Sequence, residues 1–206
     1  MTDRALIYGR FERFWHWTQA ALILFLALTG FEIHGSLTFL GYEQAVRSHT
    51  IAAEALILLV AFAAFWHFTT GEWQQYIPTT VLLRAQVEYY LVGVFRGAPH
   101  PSPKTRVSKL NPLQRAVYVL LKVLAFPVMV TSGLLYLLYR YPHRSGVEAL
   151  NVRGLETIAA VHTAGAFFLI AFIVVHVYLI TTGTTVTSSL KAMITGYEEL
   201  EDGRHA

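Results

Sequence analysis

"VHTAGAFFLIAFIVVHVYLI", residues 161–180, decides the fold. Twenty residues of α-helix rise about 30 Å, the thickness of the hydrocarbon layer of a bilayer. No Asp, Glu, Lys or Arg interrupts the run, so it reads as a membrane-spanning helix. Two ionisable rings, His162 and His176, nevertheless lie inside it, fourteen residues apart. Ionisable side chains are costly in lipid, face the protein interior when they occur there, and mark function by default.

Three more stretches resemble this one. Apolar runs cover residues 14–31, 51–68 and 113–139, and the quoted run extends back to residue 158. These predict helices at about 14–33, 49–68, 113–139 and 156–180. The fold class is therefore all-α, a membrane four-helix bundle forming one domain over residues 1–206, with every backbone hydrogen bond satisfied inside a helix as lipid requires. Composition agrees: 54% of the residues are hydrophobic and 14% charged, against about 25% charged in an ordinary soluble domain. The first run starts late and lacks a small-residue cleavage site, so it is expected to be the first span and not a cleaved signal. A net charge of +3 reflects loop placement and does not point to nucleic acid. The absence of cysteine excludes disulfides, cysteine-ligated iron–sulfur clusters and thioether-attached haem. A redox cofactor would have to be held by histidine or methionine.

Basic residues set the orientation. Arg4, Arg10 and Arg13 precede the first span. Arg84, Arg96, Lys104, Arg106, Lys109 and Arg115 lie around the second loop, and Lys191 and Arg204 near the C-terminus. Arg47, Arg140, Arg144 and Arg153 lie on the other side. The larger set marks the cytoplasmic face, so both termini are expected to be cytoplasmic in a bacterial inner membrane. Trp15, Trp17, Trp66 and Trp73 then form an inner aromatic belt. Within the second loop, Leu83, Val87, Tyr90, Leu91 and Val94 recur at helical spacing in "TTVLLRAQVEYYLVGVFRG". This predicts an amphipathic helix at about 80–96, lying on the inner lipid surface or capping the bundle. The proline-rich "GAPHPSPKTR" breaks it, with His100 solvated, and "GYEELEDGRHA" reads as a loose polar tail.

Fourteen residues of helix turn about 1400°, within about 40° of whole turns, and rise about 21 Å. His162 and His176 therefore share a face near opposite sides of the membrane. Two planar cofactors can stack against such a helix, one per leaflet, and haem is the natural candidate because histidine ligates its iron and four-helix bundles build such sites from facing helices. A second ligand must come from matching depth on another helix. For the inner site that is His16 or His67, and for the outer site His49 or His34. Spacing does not choose, because each alternative pair on the first two helices is eighteen residues apart. Fourteen residues beyond His16 lies Gly30, and fourteen beyond His49 lies Ala63. His34 and His67 have Ala20 and Ala53 in the same relation. We read His34 and His67 as interfacial. Gly133 and Gly165 fall in the outer half, where a porphyrin needs room and where glycines also let helices pack closely.

At these residues the chain resembles the cytochrome b membrane subunits of respiratory complexes: the gamma subunit of formate dehydrogenase, the b-type cytochrome of nickel–iron hydrogenase, and the cytochrome b subunit of thiosulfate reductase. "RFERFWHWTQAALILFLALTGF" is similar to that family's first helix, with its Arg-x-x-His-Trp start and Leu-Thr-Gly end. "HTIAAEALILLVAFAAFWHF" resembles the second, "NPLQRAVYVLL" the start of the third, and the opening stretch with "TTVTSSLKAMITGY" the fourth helix and its Met-x-x-Gly tail. The resemblance implies two haem b groups, the inner held by His16 and His176 and the outer by His49 and His162; the positions of Gly30 and Gly133 are expected to pack beside the outer one. It also implies menaquinone or ubiquinone bound at the cytoplasmic side near Asn111 and Gln114 of "NPLQR". The middle loop looks closer to the thiosulfate reductase and hydrogenase branches.

The expected role is a wire. A periplasmic iron–sulfur or cytochrome subunit, with its catalytic subunit, exchanges electrons with the outer haem, and the quinone pool meets the inner one. Arg10, Arg13 and Arg47 lie near the haem levels and could pair with propionates. Two alternatives stand beside this reading. One is a stand-alone quinol oxidase of the cytochrome b561 type. The other, of a different class, is a haem-free membrane anchor or a transporter whose histidines relay protons. A transporter would be expected to show matched, interrupted repeats, and the glycines here do not interrupt the spans in matched pairs.

Overall fold

In a computed structural model the chain is described over residues 3–102, 109–140, 152–183 and 185–200. Four helical stretches are long and apolar enough to cross a membrane: Arg10–Ile33, Tyr42–Thr70, Pro112–Leu138 and Gly154–Ile180. They lie in helices α1 (Arg10–Ile33), α2 (Tyr42–Thr70), α4 (Pro112–Leu120) continued by α5 (Phe126–Arg140), and α6 (Val152–Ile180). A short helix α3 (Leu83–Glu88) lies in the second loop, and α7 (Ser188–Thr195) follows the last span.

Local chemistry sets the ends. The Gly9 amide donates to Glu12 Oε2 at 2.7 Å and opens α1. Gly41, at φ 85°, begins α2, and Gly71, at φ 78°, ends it in the left-handed region that glycine enters without strain. Asn111 caps α4 by accepting from the Gln114 amide at 2.8 Å, Gln114 Oε1 accepts from the Asn111 amide at 3.0 Å, and Pro112 takes the first helical position. Between α4 and α5 the chain makes a wider π turn over Leu121–Ala125. Pro127 explains it: without an N–H and with a ring that crowds the carbonyl four residues back, it cannot continue a regular α-turn.

The expected spans are all present and run longer than their apolar cores. The clearest difference is α2, which starts at Tyr42 and not near residue 49, because Gly41 supplies a start and Glu43, Gln44, Arg47 and Ser48 can stay helical outside lipid. The Glu32 carboxylate fixes this turn. Its Oε1 accepts the amides of Phe39, Leu40 and Gly41 at 2.8, 2.5 and 2.7 Å.

Packing is organised in two hairpins. Close backbone approaches run along α1 and α2 and along α5 and α6. On α2 the buried apolar residues are Ala45, Ala52, Leu56 and Ala63, a seam spaced by seven, four and seven. Small residues let membrane helices approach closely. Large apolar side chains such as Leu58, Phe62, Phe65 and Phe68 point outward, as they should toward lipid. Between the hairpins, among the described residues, the backbones stay farther apart, and side chains bridge the slot: Phe31 meets Phe167 with ring centres 6.1 Å apart, and His34 meets Thr163.

Both ends of the chain meet at what we call the inner end. Strand β1 (Asp3–Leu6) pairs antiparallel with β2 (Tyr197–Leu200). The residues just after Gly196, read as part of a loose tail, are thus paired; residues 201–206 lie outside the described residues. Arg13 Nη1 donates to the Ile194 carbonyl at 2.6 Å and Trp17 Nε1 to that of Met193 at 3.1 Å, so α1 holds the C-terminal end of α7. Lys109 bridges Glu12 at 2.9 Å and Glu72 at 3.1 Å, joining the starts of α1 and α4 to the end of α2.

The second loop is helical from Leu83 to Arg96, with an irregular middle. Gln86 is fully buried, Tyr90 OH accepts from Asn111 Nδ2 at 3.0 Å, and Val87, Leu91 and Phe95 form an exposed apolar stripe. The amphipathic helix therefore turns a polar and aromatic face to the bundle and an apolar one away from it. His100, read as solvated, is half-buried instead: its ring lies 4.8 Å from that of Tyr89, and its Nδ1 accepts from the Ser102 amide at 3.3 Å.

Candidate functional site

Four histidines stand in the slot between the hairpins, as two pairs. Near the inner end, His16 of α1 faces His176 of α6 with ring centres 6.4 Å apart and planes at 53°. Toward the outer end, His49 of α2 faces His162 of α6 at 6.3 Å and 66°. Two imidazoles bonded to one metal from opposite sides, each at about 2.0 Å, place their ring centres about 6 Å apart. Both pairs meet this requirement. Along α6 the pairs are separated by about 21 Å.

The other two candidates do not join a pair. His67 Nδ1 lies 2.6 Å from the Ala63 carbonyl and its Nε2 lies 3.1 Å from Tyr76 OH. A carbonyl can only accept, so Nδ1 donates and Nε2 accepts from the phenol. Burial pushes the Tyr76 hydroxyl well above the usual tyrosine range, which keeps it a donor. His34 caps the end of α1, and its Nε2 lies 3.2 Å from Thr163 Oγ1.

The surroundings of the two pairs differ. At the outer pair, His49 Nδ1 is 2.9 Å from Thr29 Oγ1, and His162 Nδ1 is 2.9 Å from Ser132 Oγ. Each hydroxyl is also bonded to its own helix, Thr29 to the Phe25 carbonyl at 2.9 Å and Ser132 to the Val128 carbonyl at 2.6 Å. The next residue in each case is glycine. A Cβ on Gly30 would lie 3.7 Å from His49 Cε1, and one on Gly133 would lie 3.3 Å from His162 Cε1. Gly165 serves a different purpose: its missing side chain makes room for Met129 of α5.

At the inner pair the neighbours are aromatic. The His176 ring stacks on Phe172 at 5.7 Å and 19°, and the His16 ring meets Trp17 edge-on at 5.2 Å. His16 Nδ1 is buried without a hydrogen-bond partner. Asn111 and Gln114, expected near a quinone, form the capping box of α4 described above. Asn111 uses both amide atoms, while the Gln114 Nε2 donor stays outside the box. Arg13 gives Nη1 to the Ile194 carbonyl, while its Nε is buried without a hydrogen-bond partner.

Sequence reasoning assigned no role to Thr29, which stands in the Leu-Thr-Gly end of the first helix, nor to Ser132 or Lys122. The first two form a repeated hydroxyl–glycine dipeptide, Thr29-Gly30 and Ser132-Gly133, one on each hairpin, and that repetition was a usable signal. Lys122 is a cation inside the third span. Its Nζ lies 3.1 Å from the centre of the Tyr76 ring, so its stem runs along apolar surface while its charge rests on an aromatic face at the inner end.

Known proteins resemble this chain over most of its length. A relative in Escherichia coli (strain K12), YdhU, described provisionally as a cytochrome, is 31% identical over 202 residues, which is 95% of this chain and 75% of YdhU. The profile of the family described as prokaryotic cytochrome b561 matches residues 7–196, a range that contains all four spans. The chain therefore belongs to the prokaryotic cytochrome b561 family, b-type haem proteins of electron transfer that cross the bacterial inner membrane several times.

Proposed function

We propose that His16 and His176 hold one haem b and His49 and His162 a second, and that the chain carries electrons across the membrane between a periplasmic redox subunit and the quinone pool. The observation that carries this reading is the pair of ring separations, 6.4 and 6.3 Å, bridging a slot between two helical hairpins. The iron of each group, when bound, supplies reversible one-electron exchange. The residues do the rest. Two histidines per site would hold each group, and a group so held would exchange electrons and bind no substrate at its iron. Phe172 and Trp17 give the inner pair an apolar lining, and Gly30 and Gly133 leave room against the outer rings. Moving one charge across the membrane is worth about 2.3 kcal/mol per 100 mV, so such a path couples redox chemistry to the membrane potential.

The outer partner in this reading is an iron–sulfur or cytochrome subunit with its catalytic subunit. Menaquinone or ubiquinone meets the inner pair, where Gln114 Nε2 is the amide donor of the expected Asn111 and Gln114 contacts that the capping box leaves outside. A second reading is a stand-alone quinol oxidase of the cytochrome b561 type, the type the family's description names. The two differ only in the partner, so purification from native membranes separates them: a co-purifying redox subunit supports the wire, and a lone active chain supports the oxidase. The common core is tested by adding a soluble quinol to the purified chain. Its b-haem absorbance should become reduced, more slowly in His176→Ala. Haem that stays oxidised in the presence of a sufficiently reducing quinol would contradict quinone as a substrate.

A further inference from the structure

We propose that Thr29 and Ser132 are positioning residues of the outer haem: each accepts a hydrogen bond from Nδ1–H of a ligand histidine, leaves Nε2 free for iron, and lowers the redox potential of that site. This deepens the reading above and rests on it.

The hydrogen-bond geometry assigns the protons. A hydroxyl carries one hydrogen, and a carbonyl oxygen can only accept. Thr29 Oγ1 lies 2.9 Å from the Phe25 carbonyl and Ser132 Oγ lies 2.6 Å from the Val128 carbonyl, so each hydroxyl has an acceptor for its hydrogen on its own helix. Each oxygen also faces a histidine Nδ1 at 2.9 Å. With the ring as donor both contacts are satisfied at once, whereas with the hydroxyl as donor the carbonyl contact is lost, so we assign the hydrogen to the ring. His49 and His162 are therefore Nδ1–H tautomers, and Nε2 carries the free lone pair.

Back-bonding to the preceding turn is ordinary for Ser and Thr in helices, and alone it would mean nothing. Here it occurs on both hairpins, against a histidine on the other helix of the same hairpin, followed in both by a glycine against the same ring. A hydroxyl already donating to a carbonyl is polarised into a better acceptor. An imidazole that donates Nδ1–H is a more basic ligand, and a more basic ligand favours oxidised iron. The inner pair is the internal control, because His16 Nδ1 has no hydrogen-bond partner. The effect should be confined to one of two couples.

The test is potentiometric titration of the purified full chain, followed by haem absorbance and low-temperature EPR, in Thr29→Val and Ser132→Ala. Each variant should keep two haems and raise one couple while leaving the other in place. The expected rise is severalfold to tenfold in the reduction equilibrium, and tenfold corresponds to about 59 mV for one electron. Thr29→Ser and Ser132→Thr should restore the parent value. If the apolar variants lose haem, Thr29→Cys and Ser132→Cys keep volume with a weaker acceptor and should show the same rise. Two haems with both couples unmoved, in either set, overturns this proposal. Fewer than two haems in the parent chain contradicts the ligand assignment instead.

Discussion

The outer pair, His49 with His162, and the inner pair, His16 with His176, have nearly equal ring separations, 6.3 and 6.4 Å, but different neighbours. Hydroxyls and glycines surround the outer rings. Aromatic rings surround the inner ones, and one inner nitrogen is left unpartnered. Separation sets what the rings can hold, and the neighbours set how they hold it. Two sites built to one ligand geometry can thus differ in potential and in tolerance to substitution.

The largest expected effect breaks the comparison in two. His49→Ala or His162→Ala should remove one haem and leave the inner couple. His16→Ala or His176→Ala should remove the other. Haem content and the surviving couple, read on each purified variant, check this. Loss of both haems from every variant would mean that the pairs are not independent sites.

A smaller effect probes the glycines. Gly133 lies close enough to His162 that a Cβ would sit 3.3 Å from Cε1, whereas at Gly30 the same contact to His49 would be an ordinary 3.7 Å. Gly133→Val should cut outer haem occupancy by more than half, and Gly30→Ala should leave it unchanged. Equal tolerance at both positions would show that the outer rings have more room than these distances allow.

The inner end offers a test of stability rather than ligation. Lys109 bridges Glu12 and Glu72, and hydrogen bonds to charged groups are worth about 1.5–3 kcal/mol. Lys109→Met should lower the unfolding temperature in detergent without changing the outer couple. Burial alone would lower the Lys109 ammonium, but the hydrogen bonds and charges of Glu12 and Glu72 win and hold it above the usual lysine range. A group raised in the folded state contributes fully below its unfolded pKa, about 10.4, and loses the contribution as pH rises through the folded value. The gap between parent and variant should therefore be steady near neutral pH and shrink in strong alkali. The smallest effect is expected at Arg84, whose pair with Glu88 is 92% and 62% exposed. Arg84→Ala should leave both haem content and unfolding temperature unchanged.

Much of this was legible in the sequence. Four apolar runs gave four spans, and the fourteen-residue interval between His162 and His176 gave their shared face. Periodicity could not choose between His16 and His67, or between His49 and His34, because it fixes a residue's face on one helix but not how neighbouring helices are rotated. The resemblance to respiratory cytochromes suggested the choice, and the coordinates show what occupies the others: Tyr76 reaches His67, and His34 ends α1 against Thr163. Thr29 and Ser132 were hidden because a hydroxyl in a membrane helix ordinarily bonds its own turn. Residues 3–6 and 197–200 were hidden for another reason. Four residues, DRAL or YEEL, are too few to show a strand pattern until a distant segment pairs with them.

The most direct measurement is haem stoichiometry on the purified chain, by pyridine haemochrome with a reduced-minus-oxidised spectrum, in protein made by a haem-sufficient host. The account predicts two b haems per chain. One haem would keep electron transfer but remove the path from one leaflet to the other, and none would contradict the ligand roles of His16, His49, His162 and His176.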